Sequence, residues 1–186
     1  MELFKNIRQN LGRTALKSRS GSVKRAVQKF DFSTAKQIGI LWDATNESGL
    51  AVITSFIKKM NESGKHTEVL AFIPGKEVSD RLTGLTSMKF LRSSDLSFTY
   101  TPVSEDAKAF MKKKFDVLID INPFRVFPLT YIVTLSSSMI RVGIDNNSDQ
   151  EESPYDLMIQ TGKTPDIGEF LDQAVYYLSL INSQEN

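Results

Sequence analysis

No cysteine occurs in the chain, and histidine occurs once, at His66. The first absence excludes a disulfide frame and thiolate chemistry, and is compatible with a reducing compartment. The second leaves no set for a histidine-based triad or the usual zinc cluster. His66 follows Gly64-Lys65 at a turn and is expected at the surface. Glycine-rich phosphate signatures are missing too. "TGKT" (161–164) would need a glycine five residues before Gly162, where Leu157 stands, and "IPGKE" (73–77) fails in the same way. No dinucleotide fingerprint follows the first strand pattern. No apolar run reaches the ~18 residues that span a bilayer. The opening "MELFKNIRQNLGRTALKSRS" carries charges throughout instead of an apolar signal core. The expectation is a soluble, cytoplasmic protein with no metal and no cofactor.

What is present suits one folded domain. The 186 residues are 40% hydrophobic, enough for a real core, and 24% charged, close to the globular average. Charge is unevenly placed. Residues 1–30 hold eight cations against the single Glu2, so a net charge of +1 divides into +7 there and −6 in the remainder. The organisation that follows is a basic helical arm over 1–34 and an α/β domain over 35–186.

Periodicity supplies the elements. Leu3, Phe4, Ile7 and Leu11 fall at helical spacing, which predicts a short amphipathic helix ended by a linker at "SRSGS" (18–22). Val23, Ala26, Val27 and Phe30 suggest a second short helix. "QIGILWD" (37–43) is a strand, "LAVITSFIKKMNESG" a helix with Gly64 as its C-cap, and "TEVLAFIP" (67–74) a second strand. "SDRLTGL" is a short helix, "MKFLR" (88–92) a strand, and "DLSFTYTP" (95–102) an extended segment with Phe98 and Tyr100 alternating. "SEDAKAFMKKK" (104–114) is a helix with an N-cap serine, acids first and lysines last. "FDVLIDIN" is a nearly all-apolar strand, as in a parallel sheet covered on both faces. "VFPLTYIVTLSSS" is a helix with Pro128 in its first turn and Ser136–Ser138 at its end. "MIRVGID" (139–145) and "YDLMIQT" (155–161) are strands, and "TPDIGEFLDQAVYYLSLI" is the closing helix. Alternating strands and helices predict a three-layer α/β/α Rossmann-like sandwich with a mostly parallel sheet.

In such a sheet ligands gather beyond the C-terminal strand ends, at the switch in strand order. Asp43 ends the first strand, Asp120 and Asn122 end "DVLIDIN", and Asp145 ends "RVGID". These four, with Arg125 before the next helix, are the candidate ligand-binding residues of a crevice for a nucleotide or sugar. Strand-end Asp and Asn also start turns and cap helices without any ligand, and an exposed loop arginine is equally ordinary. Trp42 is expected in the core, with the crevice edge as its other placement. "DNNSDQEESPYD" (145–156) has oxygen side chains at calcium-loop positions 1, 3, 5 and 12, but Gln150 stands where glycine is wanted and strands flank it, so a solvated acidic loop is expected.

"KKKFDVLIDINPFRVFPLTYIVTLSSSMIRVGID" resembles the N-terminal Rossmann-like half of the heptosyltransferase-type glycosyltransferases. That family reads Tyr-Asp-Leu-Val-Ile-Asp-Leu, a helix with a small-residue turn, then Arg-Arg-Ile-Gly-Phe-Asp. "FLDQAVYYLSLI" is similar to a helix that often follows there. The resemblance implies the fold. Its catalytic base sits in a Gly-Asp turn after the first strand. Here that loop reads "DATNESG", which leaves Asp43 and Glu47 as the weak catalytic candidates. The family's second domain holds the sugar nucleotide, so an enzyme of this kind would need a partner. The whole chain, with its basic N-terminal helices and "IGILWDAT", also resembles a small uncharacterised bacterial domain family that brings no activity.

The functional reading is a non-catalytic α/β domain with a small-ligand crevice. The alternatives are a reduced glycosyltransferase-like enzyme needing a protein partner, and an adaptor held to membrane or nucleic acid by residues 1–30. For that arm the plainest expectation is that Leu3, Phe4, Ile7 and Leu11 pack on the domain and leave the charges in water.

Overall fold

A computed structural model describes residues 2–23, 25, 30–45, 47–75, 79–145, 153–162 and 165–181. The elements in chain order are α1 (Glu2–Ser20), β1 (Gln37–Asp43), α2 (Leu50–Glu62), β2 (His66–Ile73), α3 (Asp80–Thr83), β3 (Met88–Arg92), α4 (Glu105–Lys112), β4 (Val117–Asp120), α5 (Phe127–Leu135), β5 (Ile140–Asp145), β6 (Leu157–Gln160) and α6 (Ile167–Leu180). The six strands form one sheet in the order β3-β2-β1-β4-β5-β6, and every strand pairing in it is parallel. The chain winds outward one way through β1, β2 and β3 and the other way through β4, β5 and β6. The switch in strand order therefore lies between β1 and β4.

Strand alternation builds two cores. Ile38, Ile40 and Trp42 of β1, with Val117 and Ile119 of β4, face α2 and α6 through Ile53, Phe56, Phe170, Leu171 and Ala174. Leu41, Leu70 and Leu118 face α4 and α5 through Ala107, Phe110, Leu129, Ile132 and Val133. Trp42 thus belongs to the core. Helices on both faces explain why the central strands are apolar along their whole length. α5 is apolar all round for the same reason: the sheet covers one side and α1 covers another, where Leu16 packs with Phe127 and Tyr131.

Local signals account for the boundaries. Ser104 caps α4 by accepting from the Ala107 amide at 3.4 Å, with Glu105 and Asp106 first and Lys112 last. Gly64 follows α2 at φ +76°, a conformation that favours glycine. Pro128 sits in the first turn of α5.

Two expectations are corrected. Residues 95–102 are not extended: a 3-10 turn over Ser93–Asp95 leads into a loop closed by an antiparallel bridge between Leu96 and Pro102. The Ser97 hydroxyl accepts from the Thr99 and Thr101 amides at 3.2 and 3.3 Å, and Tyr100 takes φ 60°. A serine that satisfies the local backbone competes directly with strand pairing. The N-terminal helix is also longer than expected and differently turned. It runs through Ser20 and ends at the Gly21-Ser22 turn. Its buried face is Gly12 and Leu16, whereas Phe4, Ile7 and Leu11 are 73%, 49% and 53% exposed. Gly12 decides this. A Cβ there would stand 2.3 Å from the Thr99 carbonyl and 2.8 Å from the Phe127 ring, so α1 approaches most closely where it has no side chain. The predicted second helix depends on Ala26 and Val27, and the acidic loop and the "TGKT" turn on residues 146–152 and 163–164, all outside the described residues.

Arg25 ties the segment after α1 to the edge of the sheet where β5 and β6 begin. It donates to the Ser138 and Met139 carbonyls at 3.1 and 2.9 Å and forms an ion pair with Asp156. Burial works to raise the Asp156 carboxyl, but the Arg25 side chain and the Arg141 amide outweigh it and hold the group below its ordinary range. Burial, with Arg25 nearby, lowers Arg141 to about 10.

Candidate functional site

The switch point is built from the ends of β1 and β4. Leu41 pairs with Asp120, so β1 runs two residues further, to Asp43. By alternation Asp120 lies on the α4/α5 side of the sheet with Leu118. It is buried, and its carboxylate is enclosed by donors. Oδ1 accepts from the Asn122 amide at 3.2 Å and from Asn122 Nδ2 at 2.6 Å, while Oδ2 accepts from the Tyr155 hydroxyl at 2.7 Å. Burial raises this carboxyl above its ordinary range, against the pull of Tyr155, Asn122 and the charge of Arg125.

Asn122 closes the gap between the strands. Its Nδ2 donates to the Leu41 carbonyl at 3.2 Å and its Oδ1 accepts from the Asp43 amide at 2.6 Å. One side chain therefore continues the β1–β4 ladder past the end of β4. Tyr155 arrives from the segment before β6 and lies over Gly143, where a Cβ would stand 2.5 Å from its ring. Gly143 pairs with Asp120, so this glycine gives the tyrosine its path to the carboxylate.

The remaining sequence candidates surround this knot. Asp43 is partly exposed and accepts from the Thr45 amide at 3.1 Å and from the Thr45 hydroxyl, an Asx-type turn. Glu47 lies on the same β1–α2 loop at φ 53°. Asp145 ends β5 two residues, about 7 Å, beyond Gly143 and is partly exposed. Arg125 is partly buried on the β4–α5 loop. The structure thus joins Asp43, Asp120 and Asn122 in one hydrogen-bonded cluster, and puts Asp145 and Arg125 on the same edge of the sheet.

Arg125 also faces a groove of about 470 Å³ between α1 and α5. Arg13 and Lys17 enter it from α1, and Thr14, Thr130 and Thr134 line its walls. These threonines donate to carbonyls four residues back in their own helices, at 3.0, 3.3 and 2.7 Å. Among the described residues that line the groove, the charged ones are Arg13, Lys17 and Arg125. Arg19 fixes the seam by donating to the Tyr131 hydroxyl at 2.6 Å. Sequence reading missed Tyr155, which nothing marks in "SPYDL". It registered Arg13 and Lys17 only as members of a basic arm.

Among the described residues no helix is long and apolar enough to cross a membrane, and no group of three or more His, Asp or Glu could hold a metal ion. An all-parallel, doubly wound sheet with its switch point between β1 and β4 places the chain among the Rossmann-like α/β proteins. Within that class it belongs to a family described as being of unknown function (DUF6913), whose model matches residues 8–181. A search of curated proteins returns no match.

Proposed function

We propose that the chain is a binding domain for a small anionic ligand, a nucleotide or sugar phosphate, held where the strands end. The observation that carries this is the groove between α1 and α5, into which Arg13, Lys17 and Arg125 converge. The phosphate takes the groove. Arg125 joins the groove to the strand ends, since its charge is felt by Asp120. There the partly exposed Asp43 and Asp145 are acceptors suited to sugar hydroxyls, and Asp120 with Asn122 shapes the floor. Binding is favoured over reaction because the buried carboxylate is committed on both oxygens.

The test is a thermal-shift and calorimetric screen of the full chain against nucleotides, nucleotide sugars, sugar phosphates and inorganic phosphate. A ligand at a hundred times its dissociation constant stabilises the native state by about 2.7 kcal/mol, a clear rise in melting temperature. Arg13→Ser with Lys17→Ser should abolish the rise. A rise that survives this double variant, or no rise with any compound, would sink the proposal. The glycosyltransferase-like alternative rests on Asp43, which stands at the switch point with part of its surface open. It requires turnover of a nucleotide sugar, with a second protein, that fails in Asp43→Ala or Glu47→Ala.

A further inference from the structure

α1 and α5 run in the same direction. Gly12 meets Phe127 at the start of α5, Leu16 packs with Phe127 and Tyr131, and Arg19 reaches Tyr131. The part of α1 before Gly12, about 15 Å of helix, therefore projects past α5 on the side where the strands end. The loop after β3 supports it: Arg8 donates to the Phe98 carbonyl at 2.5 Å and stacks over the Phe98 and Tyr100 rings at 4.3 and 4.7 Å. At a hundred degrees per residue, Phe4, Ile7 and Leu11 fall within an arc of about 60°, and all three are exposed. Arg8 borders that arc. Two more large aromatics stand exposed at the same end, Phe98 at 68% and Phe124 at 79%, on the loops leaving β3 and β4.

We propose that this end docks in the plane of an anionic lipid surface, with Phe4, Ile7 and Leu11 entering the boundary between headgroups and acyl chains. Charge complementarity selects this occupant. α1 carries five cations, Lys5, Arg8, Arg13, Lys17 and Arg19, against Glu2, while residues 31–186 are net acidic. An anionic surface attracts α1 and repels the net-acidic remainder, which orients the molecule with α1 toward the lipid. A second copy would set two basic helices against each other. A nucleic-acid backbone would take up the cations but has no use for an aliphatic arc. Basic helices with an apolar face lie in the bilayer interface in this manner. The surface is separate from the groove, because Arg13 and Lys17 leave α1 well away from the apolar arc.

The experiment is flotation of the full chain with two kinds of vesicle, phosphatidylcholine alone and phosphatidylcholine with phosphatidylglycerol in equal parts. Binding to the mixed vesicles, at least about tenfold stronger than to the neutral ones and lost at high salt, is expected. The triple variant Phe4→Ser, Ile7→Ser and Leu11→Ser should lose about a hundredfold in partitioning. Its melting temperature and its response to a groove ligand should stay unchanged, because these side chains are already exposed. Four results would overturn the proposal: no binding to mixed vesicles, equal binding to both kinds, undiminished binding by the triple variant, or a wild-type dimer that the triple variant disperses. Salt-sensitive binding to DNA that the triple variant retains, with no vesicle binding, would transfer the role to nucleic acid.

Discussion

Two polar regions lie on the same side of the sheet, and they are finished in opposite ways. At the end of β4, Asp120, Asn122 and Tyr155 satisfy one another out of water. In the seam between α1 and α5, the charged residues among the described lining of the groove are three cations. A buried polar group with its partners in place contributes to the fold, and losing a partner is costly. A cluster of like charges at a groove contributes little to stability, and its field is available to a ligand. Stability effects should concentrate at the knot and binding effects at the seam.

The largest effect is expected for Asp120→Ala, which strands the Asn122 amide and the Tyr155 hydroxyl in a buried site. About 3 kcal/mol of stability should be lost, read from the urea midpoint at neutral pH. Asp120→Asn separates charge from geometry, because its amide can donate to the Tyr155 oxygen while its carbonyl accepts from Asn122. Burial raises the Asp120 carboxyl, so the native state holds this proton more tightly than the unfolded chain does. That contribution is full below the unfolded value of about 3.9 and declines as pH rises through the raised folded value. The asparagine variant lacks this decline. Its stability relative to wild type should improve from pH 4 toward neutrality. An alanine variant as stable as wild type would erase the contrast between the two regions.

Gly12→Val comes next. Its side chain would meet the Thr99 backbone carbonyl and the Phe127 ring. α1 must shift, at about 2 kcal/mol, and the groove should lose its ligand at the same time. Calorimetry on the variant would break the comparison if affinity survived, because the seam would then be unnecessary to the site. Tyr155→Phe follows at about 1–2 kcal/mol, since one buried oxygen of Asp120 loses its donor while the ring still covers Gly143. A chemical denaturation series with Tyr155→Phe beside Asp120→Ala would show whether the two act through one interaction.

The contrast also explains what could be read in the residues alone. Strand ends were legible because apolar runs stop abruptly at Asp43, Asp120 and Asp145, and strand-end carboxylates on one edge follow from parallel topology. The knot was not, because its hydroxyl comes from Tyr155, brought back over Gly143 by a parallel β5–β6 pairing that no local pattern encodes. The seam was half legible. Basic residues are countable in the sequence, but the direction α1 faces is set by a single glycine and not by its hydrophobic stripe. Close approach to α5 required the missing side chain at Gly12, and this left Phe4, Ile7 and Leu11 outside. In the same way Ser97 turned an alternating strand pattern into a loop by hydrogen-bonding its own backbone.

The smallest effect has the opposite sign. Arg13→Ser with Lys17→Ser removes two like charges from one face of α1 and breaks no hydrogen bond described for either side chain. Stability at low ionic strength should be equal to wild type or higher by up to about 0.5 kcal/mol. The gain should disappear as salt shortens the screening length. Thermal melts across a salt series read both quantities. A loss of 1 kcal/mol or more would mean that these cations hold α1 in place, and the seam would then belong with the knot as part of the fold. A small gain that fades with salt, together with lost ligand response, would mean that the cations are kept at a cost to the folded chain, as expected of a site that exists to bind.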